Sequence, residues 1–213
     1  RGIAETDSGV SIGAATTLND LLQSVVIQQN YPAITEAAQA MGSNQIRNSG
    51  TIGGNIASAV PSADLPPVLL VLGAEVVIAS QNGERTVPIC EFFQGVRKTC
   101  VAIGEIVKSI SLPTPIGSAV YERFDLRQGN SLAVAAVAAN ITMDGGTITD
   151  AKVALGAVAP TPEIVEGVND ILCGNTCNDN LLHEVAELAT QASNPITDLR
   201  GSAEYRRELV GIL

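Results

Sequence analysis

The chain has 213 residues, 46% hydrophobic and 16% charged, with a formal net charge of −10, a globular balance that supplies a core and excludes wholesale disorder. The acidic excess and the scarcity of aromatics, three Phe, three Tyr and no Trp, exclude a nucleic-acid surface, which needs clustered Lys and Arg, and disfavour an anionic membrane. No run of about 18 apolar residues occurs, so no transmembrane helix is expected.

In chain order, residues 9–15 (GVSIGAA) alternate as a strand does, and Thr16 or Thr17 can cap a helix from Leu18. Pro32 suits a helix start, Ile34, Ala37, Ala38 and Met41 carry the helical period, and Gly42 ends it. Residues 46–67 read IRNSGTIGGNIASAVPSADLPP, a stretch of small residues too flexible to be expected as helix or core strand. LPPVLLVLG from Leu65 reads as a short buried helix, AEVVIAS as a strand, and Asn82-Gly83 as a hairpin turn leading into ERTVPI. A short helix is expected over Glu91–Lys98 and a strand over residues 105–113. Pro113 and Pro115 then mark the best boundary. Beyond it, residues 118–128, 131–144 and 147–158 read as three long strands, the last two joined at Gly145-Gly146. Helices are expected over Thr161–Leu172, Asn178–Ala192 and Ser202–Leu213.

Four cysteines, Cys90, Cys100, Cys173 and Cys177, lack the grouping of an iron–sulfur or zinc site. Reduced thiols of a cytoplasmic protein are the expectation, with a disulfide or redox role as the alternative. His183, the sole histidine, sits in a helical pattern without a nucleophile elbow.

Glycine lets another group approach the backbone, and a Gly-Gly-Asn turn can point several N–H groups at a phosphate. Thr51 and Ser58 add hydroxyl donors. Asp64 repels phosphate but accepts from polyol hydroxyls. Segment 46–67 therefore has parts for a nucleotide or a flavin. The competing reading is a tight glycine corner between a helix and a strand.

The string IRNSGTIGGNIASAVPSADLPPVLLVLGAEVVIAS resembles the FAD-binding (medium) subunits of the molybdenum hydroxylases, the family of xanthine, nicotinate and carbon monoxide dehydrogenases. The likeness extends to GVSIGAATTLNDLL, GEIVKSISLP and YERFDLRQGNSLAVAAVAANI, and so covers essentially the whole chain. It implies an α+β fold: the C-terminal part of a vanillyl-alcohol-oxidase-type FAD-binding domain over residues 1–113. A separate domain would follow over residues 114–213, a three-stranded antiparallel sheet with a helical bundle. It also implies an upstream lobe with an Ala-Gly-Gly-Thr-type loop that residues 1–8 do not supply.

By the same resemblance, Gly50, Thr51, Gly53, Gly54 and Asn55 line the FAD pyrophosphate and ribityl chain, and Ala57 sits against the cofactor. Asp64 accepts from ribitol or flavin hydroxyls. Ile106 and Val107 meet the isoalloxazine through their strand backbone, and Tyr121 and Arg123 approach the flavin ring. The implied function is electron transfer from iron–sulfur clusters through FAD to NAD or another acceptor. Molybdopterin and [2Fe-2S] clusters would lie on partner subunits, a molybdopterin-binding subunit and an iron–sulfur subunit. No catalytic side chain and no metal ligand is expected here. The alternatives are a stand-alone flavoprotein reductase or oxidase of the related fold, and a flavin-free piece that docks in the same complex.

Overall fold

The computed structural model describes residues 1–213. A hairpin of β1 (Ile3–Thr6) and β2 (Gly9–Gly13) opens the chain. Six helices follow: α1 (Leu18–Gln23), α2 (Val25–Asn30), α3 (Pro32–Ala40), α4 (Asn44–Ser49), α5 (Ile52–Ala57) and α6 (Leu65–Val71). Next come β3 (Glu75–Ser80), β4 (Gly83–Pro88), the single turn α7 (Ile89–Phe92), a small hairpin of β5 (Phe93–Gly95) and β6 (Lys98–Thr99), and β7 (Ile106–Pro113). The second half holds β8 (Ser118–Phe124), β9 (Ala135–Asp144), β10 (Thr147–Gly156), β11 (Glu163–Ile164), α8 (Val168–Leu172), α9 (Asp179–Ala192) and α10 (Ala203–Ile212).

The first sheet has the order β1-β2-β7-β3-β4 and the second β11-β10-β9-β8. Every pairing in both is antiparallel. Local chemistry explains most ends. Thr17 and Asp20 form a reciprocal capping box at α1, and Pro32 opens α3. In the β3–β4 hairpin Ser80 pairs with Gly83, leaving Gln81 and Asn82 as the turn.

All seven residues of α6 are buried, as an all-apolar helix requires. It packs on α3, β9 and β10, each fully buried Leu or Val contributing about 1.5–3 kcal/mol. The alanine-rich composition of β9 follows from burial on two faces. Ala136, Ala138 and Ala154 join the core of the first half, while Ala135, Val153 and Leu155 pack with α8, α9 and α10. The core of the first half therefore extends onto one face of the second sheet, and a second, smaller core covers the other face.

Three local expectations are corrected. Residues 46–57, read as too flexible for helix, form the end of α4 and all of α5, because Ser43 and Thr51 cap them. The helix expected over Glu91–Lys98 stops at Phe92. Gly95 at φ 150° and Arg97 at φ 56° turn the rest into the β5–β6 hairpin, since such angles cannot continue a right-handed helix. The helix expected over Thr161–Leu172 is only α8. Pro160 and Pro162 keep the chain extended before it, and β11 adds a fourth, two-residue strand to the three long ones.

Candidate functional site

Helix α5 is stitched to the chain that leaves β2. Ile52 N–H donates to Thr16 O at 3.0 Å, Gly53 N–H to Ala14 O at 2.9 Å, and Leu18 N–H to Gly50 O at 2.9 Å. Thr51 Oγ1 accepts from Gly54 N–H at 3.0 Å, and Thr51 O from Asn55 N–H at 2.9 Å. The amides of residues 52–55 are thus used inside the protein. The outward-pointing nest read from Gly-Gly-Asn is not what these glycines make.

The two adjacent glycines have different reasons. A Cβ on Gly53 would lie 2.5 Å from Ala14 Cβ, so this position is the tight helix–strand corner. A Cβ on Gly54 would meet only Thr51 Oγ1, at 3.1 Å, and otherwise projects into open space. Gly54 and Ala57 are exposed on one stripe of α5.

Two clefts border this helix. The first, about 590 Å³, runs between α5 and the β7 side of the sheet, with Ala14, Ala15, Thr51, Gly53, Gly54, Ala57, Ile106 and Val107 on its wall. Thr99, Val101 and Glu105 complete it. The second, about 330 Å³, lies along the neighbouring stripe of α5, Asn55 and Ser58, and takes in Met41, Asp64, Asn130, Ser131 and Leu132. Residues three apart share a helix face, so Gly54/Ala57 and Asn55/Ser58 are adjacent stripes, and the clefts flank one short helix.

The residues singled out in the sequence divide between them. Thr51, Gly53, Gly54, Ala57, Ile106 and Val107 line the first cleft, and Asn55 and Asp64 the second. Tyr121 and Arg123 stand behind Asp64. Gly50 lines neither; a Cβ there would press on Ile46 O at 3.1 Å and on Leu18. Arg47, the cation of the same stretch, donates to Met41 O at 3.0 Å at the end of α3. His183 is exposed on α9, remote in sequence and fold from α5.

The first cleft is built of small side chains and has one charge on its wall. Glu105 is held by Arg85 through two bonds of 2.8 Å and by Ala102 N–H at 2.8 Å, and the Arg85 bond pulls its carboxyl down to about 2. The second cleft presents acceptors. Asn55 donates Nδ2 to Met41 Sδ at 3.3 Å, while its Oδ1 is buried with no partner. Asp64 Oδ1 accepts from Tyr121 Oη at 2.6 Å and from Arg123 Nη1 at 2.7 Å, so Oδ2 is left for the cleft.

Arg123 is further tied to Ala40 O and to Asp125, each at 2.6 Å, which fixes the cluster. Burial raises the Asp64 carboxyl against the opposing pull of Arg123. Burial, with Asp64 beside it, pushes the Tyr121 phenol well above its ordinary value, so it remains a neutral donor.

Sequence reasoning missed Ala14, Ala15, Thr99, Val101 and the 130–132 segment. Only Gly129-Asn130, with φ 82° and 48°, carries a readable turn signal.

Residues 1–115 match the family described as the FAD binding domain in molybdopterin dehydrogenase, and residues 119–213 the CO dehydrogenase flavoprotein C-terminal domain. The glyceraldehyde dehydrogenase medium chain of Sulfolobus acidocaldarius is 36% identical over 206 residues, covering 97% of this chain and 73% of that protein. The carbon monoxide dehydrogenase medium chain of Hydrogenophaga pseudoflava is 35% identical, with 99% and 74% covered. Among solved structures, the reconstituted CO dehydrogenase from Oligotropha carboxidovorans superposes with a TM-score of 0.95 at 34% identity, over 99% of this chain and 74% of that one.

Proposed function

The chain belongs to the FAD-binding medium subunits of the molybdenum hydroxylases, and from that premise we propose that it is the flavin-carrying electron-transfer subunit of such a complex. The observation that carries this reading is the pair of clefts flanking α5. One is walled by Gly54, Ala57, Ala14 and Ala15, and the other offers the unpartnered Asn55 Oδ1 beside Asp64. An extended dinucleotide needs small residues where flat groups lie and acceptors where hydroxyls and ring N–H groups lie. FAD, when bound, supplies redox exchange between iron–sulfur centres and an acceptor such as NAD.

The residues divide the labour. Gly54 and Ala57 keep the exposed face of α5 free of side-chain bulk. Asp64, its Oδ1 fixed by Tyr121 and Arg123, directs Oδ2 and a negative charge toward ligand hydroxyls. Tyr121 and Arg123 act through Asp64 rather than against the ring.

The separation of the clefts argues against giving one ring both to Ile106 and Val107 and to the Asp64 side. The carboxylate needs the donors of the ribityl chain, so Ile106 and Val107 go with the adenosine end. Molybdopterin and [2Fe-2S] clusters belong on partner subunits in this reading, and NAD or another acceptor takes the electrons.

A native mass spectrum of the protein isolated from its source tests the proposal. The expected result is a complex with iron–sulfur and molybdopterin subunits in which this chain carries the mass of FAD. A complex of the same subunits without flavin would make the chain a scaffold, and a flavin-bearing chain that runs without those partners would make it a stand-alone flavoprotein.

A further inference from the structure

A third cavity, of about 330 Å³, opens where the two halves of the chain meet. It adjoins the second cleft, sharing Val60, Ser62 and Leu132 with it. Arg97, Arg200 and Arg206 all reach its wall, a concentration of cations in a chain whose net charge is −10.

These cations are under-compensated. Arg206 is 1% exposed. It donates Nη1 to Ala157 O at 3.3 Å and Nη2 to Asp198 Oδ1, and its Nε is buried without a partner. Arg200 places Nε and Nη2 on Asp198 Oδ2, at 3.1 and 2.7 Å, and its Nη1 is also buried and unpartnered. Asp198 is thus the one carboxylate shared by two guanidinium groups, and Arg97 forms no ion pair at all. The wall thus carries three guanidinium groups to one carboxylate, with one N–H each of Arg200 and Arg206 unpartnered, an excess of positive donors that favours an incoming anion.

Two further features single out this cavity. Arg97 and Ala157, both on the wall, hold φ of 56° and 64°, and Ala59, at φ 44°, accepts the backbone N–H of Arg97 at 2.8 Å. Non-glycine residues persist at such angles only where their surroundings impose them, and they collect at functional sites. The rim is apolar, with Val96, Leu132 and Ile196 all more than half exposed.

We propose that this cavity binds a small organic anion, a molecule with an apolar body and a terminal carboxylate or phosphate received by Arg97, Arg200 and Arg206. Its volume lies within the roughly 300–1,000 Å³ of small-molecule sites. The site is distinct from the clefts along α5 and does not rest on the flavin reading, although a ligand in it lies beside the second cleft.

Calorimetric titration of the complex as isolated tests this, with benzoate, inorganic phosphate and neutral benzamide as probes. Benzoate or phosphate is expected to bind saturably, more weakly as salt rises, and benzamide not to bind. Binding by benzoate alone assigns a carboxylate ligand, and binding by phosphate alone assigns a phosphate. Arg97→Gln and Arg200→Gln are each expected to weaken the bound anion roughly tenfold, the loss of a charge-assisted hydrogen bond. Arg97 is exposed and unpaired, so its variant carries the test if Arg200→Gln fails to fold. Absence of saturable binding by either anion at millimolar concentration overturns the proposal. So does a folded Arg97→Gln protein that binds as the parent does, or benzamide binding as tightly as benzoate.

Discussion

Two arginine–aspartate clusters stand behind adjoining cavities of this chain, and they are charged in opposite senses. Behind the second α5 cleft, Arg123 serves two carboxylates, Asp64 and Asp125. Behind the junction cavity, Asp198 serves two guanidinium groups, Arg200 and Arg206. The first cluster shows its cavity acceptors, and the second shows its cavity donors. The same two residue types, in opposite ratio, therefore make one cavity fit for hydroxyls and the other fit for an anion. The ratio, rather than the presence of an ion pair, sets what each surface can recognise.

The largest expected effect comes from replacing one buried arginine in each cluster by methionine, which keeps length and removes charge. Arg123→Met leaves Asp64 and Asp125 without a cation and is expected to destabilise by about 3–5 kcal/mol, as removal of one partner from a buried pair does. Arg206→Met leaves Asp198 still paired with Arg200 and is expected to lose less than about 2 kcal/mol. Denaturant unfolding of both variants measures the difference. Equal losses would mean that the charge ratio does not govern the two sites.

Smaller effects sharpen the acceptor side. Asp64→Asn keeps the shape and removes the charge, and is expected to weaken FAD retention roughly tenfold, the scale of one hydrogen bond to a charged group. Flavin release from the assembled complex reads this out. Gly53→Ala and Gly54→Ala separate packing from cleft. The first is expected to lower the melting temperature, because its Cβ meets Ala14 at 2.5 Å, while the second leaves it nearly unchanged.

The mildest probe is acid. Burial raises the Asp64 carboxyl, while the bonds from Arg200 and Arg206 hold Asp198 well below the ordinary carboxylate value. For Asp198 the folded value is depressed, so its stabilisation is present above the unfolded value and is lost as pH falls through the folded one. For Asp64 the folded value is raised, so folding favours its proton and the group costs stability as pH rises. Carboxyl NMR titration is expected to show Asp64 taking up its proton at a higher pH than Asp198.

How much of this was legible in the sequence depended on distance along the chain. The alternation of Val10 and Ile12, the Thr17 cap, Pro32 and the apolar run of α6 are local signals, and all of them hold. Helix α5 was illegible because Gly53, Gly54 and Asn55, half of its six residues, have little helical preference. It forms because Thr51 caps it and residues 14–16 accept its first amides, a tertiary override of propensity. The 50–64 part of the site was legible from its glycines and Asp64. Ala14, Ala15 and Leu132 were not, since small or aliphatic residues far from the motif carry no chemical mark. Tyr121 and Arg123 were reached only through resemblance, being 57 and 59 positions from the carboxylate they hold. In YRRELV nothing local distinguishes Arg206, which is fully buried, from Arg207, which is not.

The central claim is that the exposed stripe of α5 is a cofactor surface, and the FAD content of the assembled complex with Gly54→Val in place of the parent chain tests it most directly. A Cβ there meets only Thr51 Oγ1, at 3.1 Å, and the methyl groups of a valine add bulk on the exposed face of the helix. The account predicts a complex that assembles and melts nearly as the parent does yet has lost its flavin. Full retention of FAD in that variant would contradict it.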